Sequence, residues 1–142
     1  MIKKNNIEKY IKLFETLNLE NLNKFDKLLD ENIYFEDPFN KVYGITNFKR
    51  IFSNTLNKLD NVEFKVLDVI SKNKIHIIKW EMIYFAFNKN NSISGLSEVT
   101  ISENNKIVSH IDYWDSYNNF FIKLPFFGLI FKFVLSLIRK RI

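Results

Sequence analysis

The sequence predicts an α+β domain, with helices in its first part and a meander of long antiparallel strands after them. Two observations carry this expectation. Apolar residues recur at helical spacing in three stretches between Ile7 and Leu56, and beyond Leu56 the apolar period becomes alternation. Composition agrees: the 142 residues are 46% hydrophobic and 16% aromatic, with only three Gly and two Pro. That balance excludes disordered and fibrous classes and suffices for one real core.

Ile7, Tyr10, Ile11, Phe14 and Leu17 mark a first helix, with Asn5 or Asn6 placed to cap it. Leu22, Phe25, Leu28 and Leu29 repeat the pattern after an Asn-rich turn. They predict a second helix running to about Asp30, antiparallel to the first. "NIYFEDPF" reads as a short strand stopped by Pro38, and "NKVYG" as a loop ending at Gly44. Thr46 is placed to cap a third helix carrying Phe48, Ile51, Phe52 and Leu56. Residues 62–71, 74–87, 96–103 and 106–115 are four successive strand candidates. "KN", "NKNNSISG" and "NN" join them, rich in residues that tolerate tight reversals.

The absence of Cys removes disulfides and thiolate metal sites, and two His alone make a poor metal set, so no metal is expected. The start, "MIKKNNIEKY", lacks the apolar run of a secretory signal, which makes the cytoplasm the default compartment. The net charge is +5, but Lys residues are spread thinly, so no nucleic-acid partner is expected; "IRKRI" is the one basic cluster.

The order of these parts carries a resemblance. A helical hairpin, a strand ending in Phe35-Glu36-Asp37-Pro38-Phe39, a "VYGITNFKRIF" loop and helix, and a strand closing in "HIDYWD" resemble the SnoaL-like branch of the nuclear-transport-factor-2-like (ketosteroid isomerase-like) superfamily. It covers roughly residues 6 to 124, which would form the cone domain, with 125–142 as an appended apolar helix. The resemblance implies a strongly curved antiparallel sheet wrapped around the helical hairpin and third helix, leaving an apolar cavity open at one end. It also implies a homodimer pairing through the outer sheet face, and chemistry that needs no cofactor. Such cones serve isomerases, dehydratases, epoxide hydrolases, cyclases and proteins that only bind, so the fold does not settle function.

Asp37 is the first candidate site residue, because "EDP" resembles the segment carrying the general base of ketosteroid isomerase. A carboxylate in an apolar cavity is shifted toward the range useful to a base. The alternative is that Asp37 bonds nearby backbone amides ahead of Pro38. Ungapped comparison puts Leu13 where that enzyme's oxyanion-binding Tyr would stand, and Ser97 in place of its acidic donor, so steroid isomerisation is not expected. Tyr10, one turn from Leu13, is the substitute within reach.

His110 and Asp112 form the second candidate. Along a strand Val108, His110, Asp112 and Trp114 share one face, and Ile107, Ser109, Ile111 and Tyr113 the other. The resemblance turns the first set into the cavity, where Asp112 would orient the His110 imidazole as an acid–base pair. The alternative is a solvated or dimer-facing strand. Trp80, Met82 and Tyr84 share a face of the longest strand and suit a wall for a small apolar ligand, or else a plain aromatic core. Phe35 and Leu13 complete the expected ligand-contacting set. An inward His110 and Asp112 with an Asp37 consumed by backbone amides would favour binding over turnover.

The run "PFFGLIFKFVLSLIRKRI" reads as a helix from Pro125 with a narrow polar stripe of Gly128, Lys132, Ser136 and Lys140. It is too short to span a bilayer core of about 30 Å. Two readings stay open for Pro125 to Ile142. The segment covers the cavity mouth or a second subunit, or it lies in a membrane interface with Arg139, Lys140 and Arg141 toward anionic headgroups.

Overall fold

The computed structural model describes residues 6–140, so Asn5 and Arg141 lie outside the described residues. Helix α1 (Asn6–Glu15) buries Ile7, Tyr10 and Leu13. Asn6 is its first helical residue, and the Asn6 side-chain amide donates to the Asn105 carbonyl instead of capping.

The second arm of the hairpin winds as a 3-10 helix, Leu22–Lys27. Leu22, Phe25 and Leu28 are three apart, the 3-10 period, and all three are buried. Asn18 and Asn21 lock the turn before it: Asn18 Oδ1 accepts from the Glu20 and Asn21 amides at 3.0 and 3.1 Å, and Asn21 Nδ2 donates to the Thr16 carbonyl at 2.6 Å. Leu29, expected to be helical, instead opens β1 (Leu29–Glu36), because the Leu28 carbonyl takes the Ile107 amide at 3.0 Å and draws the chain into the sheet.

β1 turns back at Asp37–Asn40 into β2 (Lys41–Tyr43), the segment expected as a loop. Helix α2 (Ile45–Lys58) starts behind Gly44 rather than at a Thr46 cap. Gly44 has φ +87°, which suits a residue without Cβ, and its carbonyl accepts from the Phe48 amide at 3.0 Å. α2 buries Phe48 and Phe52 against α1 and the sheet.

The meander follows as β3 (Asp60–Lys72), β4 (Ile75–Ala86), β5 (Lys89–Ile101) and β6 (Ile107–Trp114). β5 begins at Lys89 rather than Leu96, because Phe87 and Asn88 alone make the turn, at φ +54° and +57°. Positive φ at both central residues matches the twist of a two-residue hairpin. The strands form one six-stranded sheet in the order β2-β1-β6-β5-β4-β3. Every neighbouring pair is antiparallel except β1 and β6, which run parallel. A parallel pair needs a long connection, and here nearly the whole fold intervenes.

Single extra residues interrupt the ladder between Asp60 and Glu63, at Leu67 in β3 and at Val108 in β6. Such bulges bend a strand and increase its twist, which curves the sheet around α1 and α2 without closing it into a barrel. The bulge at Val108 also reverses the expected facing at the start of β6. Ile107, expected outward, is fully buried, while Val108 is only half-buried.

Beyond β6, Asp115 caps the short helix α3 (Ser116–Asn119) by accepting from the Asn118 amide at 3.0 Å. A 3-10 turn, Phe121–Lys123, leads to α4 (Phe127–Arg139). α4 starts after Pro125 rather than at it, because Phe126 intervenes with φ +64°. Gly128 rests on the Ile122 carbonyl, a contact with no room for a Cβ.

Gly95 pairs with Trp80 on β4 and with Trp114 on β6. A Cβ there would stand 2.7 Å from Trp80 Cη2 and 2.9 Å from the Tyr113 carbonyl oxygen. Gly95→Ala is therefore expected to displace the Trp80 ring and cost about 1–3 kcal/mol, the usual range for overpacking. Urea unfolding measures the loss, and near-ultraviolet circular dichroism reads the displaced indole.

Candidate functional site

The curved sheet, α1 and α2 enclose an open cavity of about 520 Å³, a size suited to a small organic ligand. Its wall is largely apolar and rich in aromatic rings. Trp80, Met82 and Tyr84 line it from β4, Phe35 from β1 and Trp114 from β6, as the sequence predicts. Leu13, expected among the ligand contacts, does not line it. The face that α1 turns to the cavity carries Tyr10, Ile11 and Phe14, and Leu13 packs into the core, 7% exposed.

Asp37, His110 and Asp112 all reach the cavity surface, in two different chemical states. Asp37 is committed to its turn. Its Oδ1 accepts from the backbone amides of Phe39 and Asn40, both at 2.7 Å, and the Asn40 side-chain amide lies 3.0 Å from each carboxylate oxygen. An Asp before Pro does this because the reversal leaves those amides without strand partners. This is the turn-forming alternative to the general-base role.

His110 and Asp112 stand two apart on β6, so they share a face and meet: Nε2 lies 2.7 Å from Asp112 Oδ1. Ser97, directly opposite Asp112 on β5, donates its hydroxyl to the same oxygen. Trp80 Nε1 donates to Ser97 Oγ at 2.8 Å, and the Tyr10 hydroxyl lies 2.6 Å from His110 Nδ1. The chemistry of the two ends sets the direction of the chain. Indole can only donate and carboxylate only accept, so Ser97 passes its proton toward Asp112 and His110 carries hydrogen on Nε2. With the imidazole neutral, Nδ1 accepts from Tyr10. Among the described residues, only Oδ1 of Asp112 takes hydrogen bonds, and its side chain is 14% exposed. Oδ2 makes no hydrogen bond among the described residues.

The rings of Phe35, Phe14, Tyr10 and Phe48 surround the His110 imidazole at centroid distances of 5.3, 5.7, 5.8 and 6.1 Å. That packing fixes the ring in place, and Tyr10 and His110 are almost wholly buried. Burial, and then the negative charge of Asp112, pushes the Tyr10 phenol well above its usual range. Burial likewise raises the Tyr84 phenol. No group of three or more His, Cys, Asp or Glu that could hold a metal occurs among the described residues.

Tyr10 and Ser97 were the members hardest to find in the sequence. The sequence offers Tyr10 as a substitute one helical turn from Leu13 and Ser97 in the place of an acidic donor; the pairing of Ser97 with Asp112 comes from the strand register.

A family model described as an uncharacterized conserved protein (DUF2358) matches residues 4–110. The chain belongs to that family. The match takes in Asp37 and His110 and stops short of Asp112 and α4. Comparison with curated proteins finds no match. Solved structures share the fold. An NTF2-like protein of unknown function from Exiguobacterium sp. 255-15 is 13% identical with a TM-score of 0.67, over 78% of this chain and 98% of that one. A protein with a ketosteroid isomerase-like fold from Catenulispora acidiphila DSM 44928, solved in complex with trimethylamine, is 10% identical with a TM-score of 0.69, over 82% and 89%. An LEH-like epoxide hydrolase from M. tuberculosis is 13% identical with a TM-score of 0.65, over 81% and 79%. At these identities the likeness is one of fold. This DUF2358 chain therefore has the nuclear-transport-factor-2-like cone.

The raised Tyr10 phenol has a consequence for stability. The folded state holds this proton to higher pH than the unfolded chain, so the contribution is intact below the ordinary value of 10.0 and is lost as pH rises beyond it. Tyr10→Phe is expected to lose about 1–3 kcal/mol at neutral pH, because His110 Nδ1 is left buried without a partner. It should nevertheless show a shallower decline on the alkaline side. Urea unfolding of both proteins at neutral pH and at about pH 11 measures the two effects.

Proposed function

We propose that the protein binds a small, largely apolar molecule in the cone cavity and holds the one polar, hydrogen-donating group of that molecule at Asp112 Oδ2. One observation carries this reading. Asp112 lines the largely apolar cavity with Oδ1 held by Ser97 and His110, and Oδ2 makes no hydrogen bond among the described residues. Asp37, spent on its turn, favours binding over turnover. So does Tyr10, whose hydroxyl is used on His110 rather than aimed at a ligand. A fold neighbour solved with trimethylamine supports a ligand-holding role. Trp80, Tyr84, Met82 and Trp114 are the contact surface, with Phe35 behind His110.

2-Naphthol and naphthalene test this, since they differ by a single donor. Both are expected to bind the full chain saturably and quench the cavity tryptophans, and the cavity-filling Val66→Phe should weaken both. Asp112→Asn, which turns a donor toward the ligand, should weaken 2-naphthol alone, by about ten- to a hundredfold, the worth of a charge-assisted hydrogen bond. Failure of both probes to bind, or equal binding by all three proteins, overturns the reading.

The unengaged Oδ2 also favours a second reading, in which Asp112 is a general base oriented by His110 and the protein performs cofactor-free isomerase-, cyclase- or hydratase-type chemistry. 5-Nitrobenzisoxazole reports such a base. The carboxylate takes the ring C–H proton as the N–O bond breaks, releasing a coloured cyanophenolate. Acceleration by the full chain that falls by about 10²–10⁴ in Asp112→Asn supports turnover. No acceleration leaves the binding role alone.

A further inference from the structure

α4 is an apolar helix left outside the core. Gly128 is its one buried residue, while Phe127, Leu129, Ile130 and Phe133 are 60%, 71%, 58% and 65% exposed. Contiguous exposed apolar surface on this scale marks a site of association. The charge of the chain identifies the partner. Through Asp115, sixteen Lys and Arg balance sixteen Asp and Glu; after Asp115 come five Lys and Arg and no acid. The whole net charge of +5 therefore belongs to the segment that carries the exposed apolar helix.

We propose that α4 docks the protein on an anionic lipid surface. Apolar side chains of an interfacial helix sink about 5–10 Å into the boundary of headgroups and acyl chains, and cations at their border meet the lipid phosphates. Thirteen residues extend only about 20 Å, so the helix lies in the interface; no helix among the described residues is long and apolar enough to cross. A second copy of α4 fits less well. Isologous pairing would bring a second set of Lys132, Arg139 and Lys140 to the interface, with no acid in the segment to offset them.

The docking helix also adjoins the cavity. Phe39 and Phe120 line the cavity and meet edge to face at 5.0 Å, Phe120 meets Phe121 at 5.5 Å, and Phe121 meets Phe131 of α4 at 5.3 Å. An unbroken aromatic path thus joins the cavity lining to the lipid-facing helix, and brings a bilayer-dissolved ligand within reach of Asp112. This last step rests on the ligand-binding reading; docking itself does not.

Flotation of the full chain with vesicles tests docking independently of any cavity ligand. The chain is expected to float with vesicles of equal parts phosphatidylcholine and phosphatidylglycerol, less so at high salt, and to stay behind with phosphatidylcholine alone. Replacing Lys132, Arg139 and Lys140 together by Gln should lower partitioning on the order of a hundredfold, at about fivefold for each cation. Leu129→Ser with Phe133→Ser should also release the protein, with unchanged far-ultraviolet circular dichroism, since both side chains are exposed. Three results overturn the proposal: equal recovery of the wild type in the soluble fraction with both vesicle types, equal flotation of the wild type and the Gln variant, or a stable dimer in size-exclusion chromatography that anionic vesicles do not capture.

Discussion

The parallel pairing of β1 with β6 is the constraint on which the rest depends. It sets Phe35 opposite His110 and Glu36 opposite Ile111, joining segments from opposite ends of the chain. Everything at the site is referred to that register. β6 places Asp112 against Ser97 of β5, β5 places Gly95 under Trp80 of β4, and β1 carries the turn at Asp37 to the cavity surface. A slip of one residue in β6 would turn His110 and Asp112 away from the cavity and bring Ile111 and Tyr113 in, so the buried aromatic cage around His110 holds the register as well as the ring.

The polar chain from Trp80 to Tyr10 shows how a few hydrogen bonds can order an aromatic interior. Each member is a donor or acceptor whose alternative is a costly unpaired group in a dry setting. No buried polar side-chain atom is left unpartnered among the described residues. The chain is also sterically conditional. Trp80 reaches Ser97 across a position where Gly95 offers no side chain, and Ser97 meets Asp112 because their strands pair there.

The elements most legible in the sequence were those whose apolar period is unambiguous: α1, α2 and the four strands of the meander. Less legible were those decided by tertiary partners. The pattern Leu22, Phe25, Leu28 fits a 3-10 helix as well as an α-helix, and only the Ile107 amide takes Leu28 and Leu29 away from the helix. Lys41–Tyr43 is a strand only because β1 lies beside it. At the site, alternation put His110, Asp112 and Trp114 on one face, which is the cavity face. The same alternation missed Ile107, because a bulge inserts one residue that no local pattern announces. Leu13 was misplaced by aligning a helix on motif spacing, when the rotation of α1 is set by Tyr10 packing on Phe25 and bonding to His110.

A cone that stays open keeps two sheet edges, and unpaired edges invite other chains to add strands. Here neither edge is a usable template. One is β2, three residues long. The other is β3, which is long but kinked near Asn61 and at Leu67, and carries Lys65, Asp68 and Lys72 along its length. The irregularities that curve the sheet around its cavity thus also guard its margin, and a protein with so many exposed apolar side chains is spared a straight edge on which fibrils could grow.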